Sequence, residues 1–220
     1  MTIDLGLLES ARKAIAAKPR HFITPQVLLA VVMQESHGMP YFVDTKPGSQ
    51  YKQNVYGATR PYTGLTEKDV RGAILLPAKI GDFEVPKTMQ GQLAKFRLEP
   101  SYWHRYTPDK YPLLADKIMR FYFCSSWGMV QFMGPNISHE PTAEGIEFIR
   151  RFSADVGMQL VYGAGMIDGL LQANHGDVDA MYRAYNSGNP HSHDPAVIAR
   201  AQSVTRSALE IGRFISTRNT

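Results

Sequence analysis

The stretch Thr24–Gly38, TPQVLLAVVMQESHG, decides how this chain is read. Threonine is a good helix N-cap, and proline is tolerated at the first helical position, where its missing N–H would be unpaired anyway. Val27–Met33 then runs apolar on nearly every side, which predicts a buried central helix. Gly38 and Pro40 end it. Near that end stands Glu35, followed at once by Ser36. A carboxyl in the last turn of an apolar helix meets the negative end of the helix dipole and poor solvation. Both push its pKa above the reference of about 4.3. A carboxylic acid still protonated near neutrality can protonate the leaving oxygen of a glycosidic bond. Taken alone, a Glu in this place more often simply surfaces where its helix ends.

Upstream, Leu5–Ala17 carries apolar residues at helical spacing (Leu5, Leu8, Ala11, Ile15), with Asp4 as N-cap and Pro19 as stop. Downstream, residues 41–106 have recurrent Gly and Pro and weak periodicity. They read as a loop-rich insertion with a small sheet or hairpin (β-like at Arg71–Leu76 and Ala94–Leu98) and a short helix near Thr66–Val70. Helical patterns return at Asp109–Phe121, Trp127–Met133, Thr142–Phe152, Asp155–Asn174, Asp177–Tyr185 and Pro195–Thr217. Asp177 can cap its helix, and Gly188-Asn189-Pro190 ends the same segment. No solenoid repeat or low-complexity tract interrupts the chain. The fold class expected is mainly α with a small β part: one domain, 1–220, in two lobes, with 41–106 as the insertion lobe.

The totals narrow the function classes. At 220 residues, 44% hydrophobic and 20% charged, the chain suits one substantial soluble core. Its longest apolar stretch, Val27–Met33, is too short to cross a bilayer. The start, MTIDLGLLES, has neither a basic region nor an apolar run of the secretory kind, so a mature form or another delivery route is expected. Cys124 is the only cysteine, which excludes an internal disulfide and multi-cysteine zinc sites. A formal charge of +4 suits an anionic partner. The Lys and Arg residues are scattered and form no basic stripe or nucleic-acid motif, so nucleic acid is not expected.

Two further blocks give Glu35 its meaning: SSWGMVQFMG (Ser125–Gly134) and AYNSG (Ala184–Gly188). With the Glu-Ser helix, in this order, they resemble the catalytic core of lytic transglycosylases and goose-type lysozymes, which cut the glycan strands of peptidoglycan. Gly128-Met129-Val130-Gln131 resembles the Gly-Leu-Met-Gln signature of the first family, with Phe132-Met133 as its continuation. The resemblance implies that Gln131 and Met133 line the sugar cleft, with Ser126 in a cleft-facing turn. A Gln amide can donate and accept to sugar hydroxyls or an acetamido group. Thioethers such as Met129 and Met133 offer apolar faces for pyranose rings. AYNSG resembles Ala-Tyr-Asn-Ala-Gly, altered at Ser187. It implies that Tyr185 sets its hydroxyl near the acid or the sugar and that Asn186 holds the neighbouring loop.

One departure is clear: about ninety residues separate the Glu-Ser and Gly-Met-Val-Gln blocks, which lie close together in common lytic transglycosylases. Here LAKFRLEPSYWHRY (Leu93–Tyr106) is similar to a Phe-Glu-x-His-x-Phe segment of bacteriophage N-acetylmuramidases in the lysozyme superfamily. Those enzymes also have a Glu-Ser helix before it and an Ala-Ser-Trp-Gly-x-x-Gln-x-Met-Gly block after it. Leu98, Glu99, Ser101 and Trp103 then stand at the four motif positions, and the motif His is absent. A second carboxylate is therefore sought at Glu99, then Asp44, then Asp82. Glycosidases set two carboxyls about 5–5.5 Å apart for retention or about 6.5–9.5 Å for inversion. Many lytic transglycosylases manage with one acid, using the C6 hydroxyl of the substrate as nucleophile.

The resemblance thus implies a lysozyme-like α+β fold, two lobes around a cleft, and cleavage between N-acetylmuramic acid and N-acetylglucosamine by Glu35. It implies peptidoglycan glycan strands as partner, the bacterial cell wall as site of action, and delivery by phage lysis machinery or a virion. No metal or organic cofactor is expected. His191-Ser192-His193-Asp194 has metal-ligand residue types but no further helix-borne partner, and reads as a loop. Cys124 reads as a small buried thiol, and Met158, Met166 and Met181 as core. The alternatives are a glycan-binding or structural virion component that keeps the fold without turnover, and a chitinase-like glycosidase.

Overall fold

In the computed structural model, residues 4–18, 20–36, 43–44, 50–51, 109–115 and 126–218 are described. The predicted pieces at 66–106 and 116–121 lie outside the described residues, as do Glu99, Asp82 and Cys124. The described chain is mainly helical. It divides into two compact units, Met1–Gly38 with Gly157–Thr220, and Met39–Val156.

In the first unit, helix α1 (Leu5–Ala16) starts on the Asp4 cap, whose Oδ1 accepts from the N–H groups of Gly6 at 2.8 Å and Leu7 at 3.2 Å. Its buried face is Leu8, Ala11 and Ala14; Leu5, expected on it, is half exposed. Helix α2 (Pro25–Ser36) is the central element. Val27 through Val32, six consecutive side chains, are all buried, because α1 covers one side and the last helix another. Each fully buried Val or Leu contributes about 1.5–3 kcal/mol of transfer free energy, so this segment anchors the unit. Thr24 holds the cap position, since its carbonyl accepts from Val27 and Leu28 at 3.1 Å. Its Oγ1 makes no hydrogen bond among the described residues, so the expected side-chain cap is not formed.

Asp168, from elsewhere in the sequence, holds the turn before the helix instead. It lies on the next long helix of this unit, Val156–Ala173 (α5 in the full order), and its carboxylate receives the N–H groups of His21, Phe22 and Ile23. Arg20 adds a bond to the Val161 carbonyl at 2.8 Å. Together they pin the turn that leads into α2. Helix α6 (Val178–Ser187) starts on the Asp177 cap and ends at Gly188, whose φ of 74° is the left-handed conformation that glycine adopts without a Cβ penalty. Helix α7 (Pro195–Arg218) packs against both α2 and α6.

The described residues of the second unit include two minimal antiparallel ladders. β1 (Val43–Asp44) pairs with β2 (Gln50–Tyr51), and β3 (Ser126–Trp127) pairs with β4 (Phe132–Met133). The second ladder corrects the helix expected at Trp127–Met133. Gly128 and Gln131 have φ of 75° and 50°, which no right-handed helix accommodates. The Gln131 N–H returns to the Gly128 carbonyl at 3.1 Å and closes a tight hairpin. A single turn, α3 (Gly134–Ile137), follows, then α4 (Ala143–Ala154), capped by the Thr142 hydroxyl, which accepts from the Gly145 N–H at 3.1 Å. Phe152 stacks on Phe132 with centroids 6.1 Å apart, and Trp127, Ile146 and Ile149 are buried with them. Within the segment expected as a helix at Asp109–Phe121, the described part is a turn and a 3-10 helix, Pro112–Ala115.

Candidate active site

Glu35 occupies the last turn of α2, next to Ser36. Ser36 is fully buried and its hydroxyl donates back to the Val32 carbonyl at 3.0 Å, which satisfies it inside the apolar core. Glu35 itself is half-buried. The Tyr182 hydroxyl of α6 donates to its Oε1. Tyr182 is fully buried, and its ring stacks on that of Tyr185, with centroids 5.8 Å apart and planes 20° apart. Arg200, exposed on α7, exerts its charge on both Glu35 and Tyr182.

The electrostatics follow from that geometry. Burial pushes the Glu35 carboxyl above its ordinary range, and it outweighs the opposing effects of the Tyr182 hydroxyl and the Arg200 charge. Burial, then the Glu35 charge and hydrogen bond, hold the Tyr182 hydroxyl well above its usual value, so it remains a donor. Burial and the charge of Glu35 do the same to Tyr185. The arrangement is a carboxyl that retains its proton to higher pH than a solvated Glu, held at one oxygen by a phenol that does not ionise. Such a group can give a proton to a leaving oxygen and take one back.

The structure brings the sequence-predicted residues into two groups. Glu35, Tyr185 and Asn186 lie in the first unit, with Tyr185 within electrostatic reach of Glu35 and Asn186 half-buried one residue on. Ser126, Met129, Gln131 and Met133 lie on the β3–β4 hairpin of the second unit. There Ser126 and Met133 face each other in register, and Met129 is 4% exposed, inside that unit's core. The Gln131 amide folds back to the Gly128 carbonyl at 2.8 Å, while its Oε1 is buried without a partner among the described residues. Asp44 pairs with Gln50 in the first ladder.

Sequence reasoning missed Tyr182 and Arg200. A signal for Tyr182 was present: it stands three residues before Tyr185, so one helix face presents both rings. Nothing local pointed to Arg200, whose relation to Glu35 exists only through helix packing. The His191–Asp194 segment is structural here. The Asp194 carboxylate accepts from the Ala196 N–H at 2.8 Å and caps α7, and the Ser192 carbonyl accepts from Arg183 at 3.2 Å. Among the described residues, no group of three or more His, Cys, Asp or Glu could hold a metal ion, and no helix is long and apolar enough to cross a membrane. No protein-family model, no curated protein and no solved structure matches the chain.

Proposed function

We propose that this protein cleaves peptidoglycan glycan strands between N-acetylmuramic acid and N-acetylglucosamine, with Glu35 as general acid and then general base. The observation that carries the reading is the Glu35 carboxyl itself: half-buried at the end of an apolar helix, raised in pKa by burial, and gripped by Tyr182. The order of the Glu-Ser, Trp-Gly-Met-Val-Gln and Ala-Tyr-Asn-Ser-Gly blocks supports the substrate class. In this reading Glu35 protonates the glycosidic oxygen as the C–O bond breaks and its electron pair passes to that oxygen. The resulting carboxylate then takes a proton from water or from the C6 hydroxyl of the substrate. Tyr185 stands beside the reacting centre. By the motif resemblance, Ser126, Gln131, Met133 and Asn186 are offered as sugar contacts, and Glu99 or Asp44 as the second carboxylate where one is used; Met129, buried in the core of its unit, drops out of that set. In this reading the protein acts at the bacterial cell wall.

The test is digestion of purified peptidoglycan followed by mass spectrometry of the fragments, which reports the bond cut and separates reducing from anhydro ends. Wild-type protein is expected to release muropeptide-bearing fragments, and folded Glu35→Gln none, because an amide keeps the shape but carries no acidic proton. Equal release by both proteins would overturn the assignment.

A further inference from the structure

We propose that Tyr182 is the positioning residue of this site: its hydroxyl holds Glu35 Oε1 in place and leaves Oε2 as the oxygen that carries and transfers the proton. The inference rests on the proposed cleavage for its purpose, but on geometry alone for its substance. Tyr182 is fully buried and its hydroxyl is spent on Glu35 Oε1. The Tyr182 bond is made to Oε1 and not to Oε2. A carboxyl gripped at one oxygen has its plane fixed, so the other oxygen presents its proton in one direction. The ring of Tyr182 is itself braced, stacked on Tyr185 from the next turn of α6. Bond and brace come from one helix, so the carboxyl is aimed by α6 and not by its own helix.

The same contact acts differently on the two states of the acid. After the proton leaves, Oε1 carries more negative charge, and the bond from Tyr182 strengthens, because hydrogen bonds to ionised acceptors are the stronger kind. The proton of Tyr182 stays on Tyr182 throughout. Among the described residues, the groups that bear on Glu35 are Tyr182 and Tyr185 from α6 and Arg200 from α7. Of these, Tyr182 and Arg200 favour the ionised acid, against the effect of burial. Removing only the Tyr182 hydroxyl therefore makes the acid weaker as well as less well aimed.

The experiment uses Tyr182→Phe, which keeps the ring and its stack. Protein labelled with ¹³C at glutamate carboxyls is titrated by NMR, and Glu35→Gln identifies the Glu35 resonance. The midpoint of Glu35 is expected to rise by about one pH unit in Tyr182→Phe, the scale of one hydrogen bond to a charged group. With peptidoglycan as substrate, kcat is expected to fall about tenfold or more with KM little changed, and the alkaline limb to move up with the midpoint. A purely structural tyrosine would lower Tm and leave the midpoint where it was. An unchanged Glu35 midpoint in folded Tyr182→Phe overturns the proposal. Should that variant not fold, wild-type protein labelled at tyrosine Cζ decides instead. The Tyr182 signal is expected to shift in step with Glu35 ionisation, and a Tyr182 signal flat across that range overturns the inference. If wild-type protein leaves peptidoglycan intact, the cleavage reading falls, while the two titrations still decide the role of Tyr182.

Discussion

Replacing Asp168 by Ala tests how the acid-bearing helix is held. The Asp168 carboxylate accepts from the N–H groups of Phe22 at 2.8 Å, Ile23 at 2.9 Å and His21 at 3.2 Å, all in the turn just before α2. A hydrogen bond to a charged group is worth about 1.5–3 kcal/mol where water is excluded. This site is partly open, and solvent screening reduces each bond. The His21 and Phe22 amides are exposed and can rebind water, whereas that of Ile23 is part-buried and is left without this acceptor. The expected loss is about 2–3 kcal/mol in all, a fall in Tm of roughly 5–10 °C for a chain of this size. The pH dependence has a definite sign. Burial alone would raise the Asp168 pKa, but the three backbone bonds and the Arg20 charge outweigh it and hold the pKa below its ordinary value. A depressed carboxyl contributes stability above its unfolded pKa of about 3.9 and loses it as pH falls through the folded pKa. Urea unfolding of wild type and Asp168→Ala should therefore show the full gap at pH 7 and a shrinking one below about pH 4. A gap as wide at pH 3 as at pH 7 would refute the reasoning, since the ionised carboxylate could not then be its source.

Glu35→Gln should remove glycan cleavage and also stabilise the fold. The native carboxyl has a raised pKa, so the wild type loses stability as pH climbs from the unfolded value of about 4.3 through the folded one, whereas the amide does not titrate. Urea midpoints should be closest at pH 4 and favour Glu35→Gln at pH 8. Leu28→Ala, at a site with 0% exposure in the middle of α2, should cost about 2–5 kcal/mol by urea unfolding. Gly145→Ala should cost about 1–3 kcal/mol in the same assay, because its Cβ would stand 2.2 Å from the Ser138 hydroxyl and 2.5 Å from the Glu140 carbonyl.

Helix ends were legible because capping is local. Asp4 and Asp177 each accept bonds from N–H groups two or three residues ahead, and Gly188 closes α6 with a conformation that its own lack of Cβ permits. The burial of α2 was legible for a related reason: a helix apolar on every side has no face to offer water. The hairpin at Ser126–Met133 was not. Its residues fit either period over so short a span, and the choice was made by left-handed backbone at Gly128 and Gln131 and by the packing of Phe132 on Phe152.

The candidate site divides the same way. The sequence alone marked Glu35, since an acid at the end of an apolar helix is a local pattern, and Tyr185 through its motif. Only the tertiary structure joined Glu35 to Tyr182, 147 residues away, and brought the charge of Arg200 to bear on both. A pKa is a property of surroundings, and here α6 and α7 supply groups that set it. A residue can show from its neighbours in sequence that it is a candidate acid; its protonation is decided by neighbours in space.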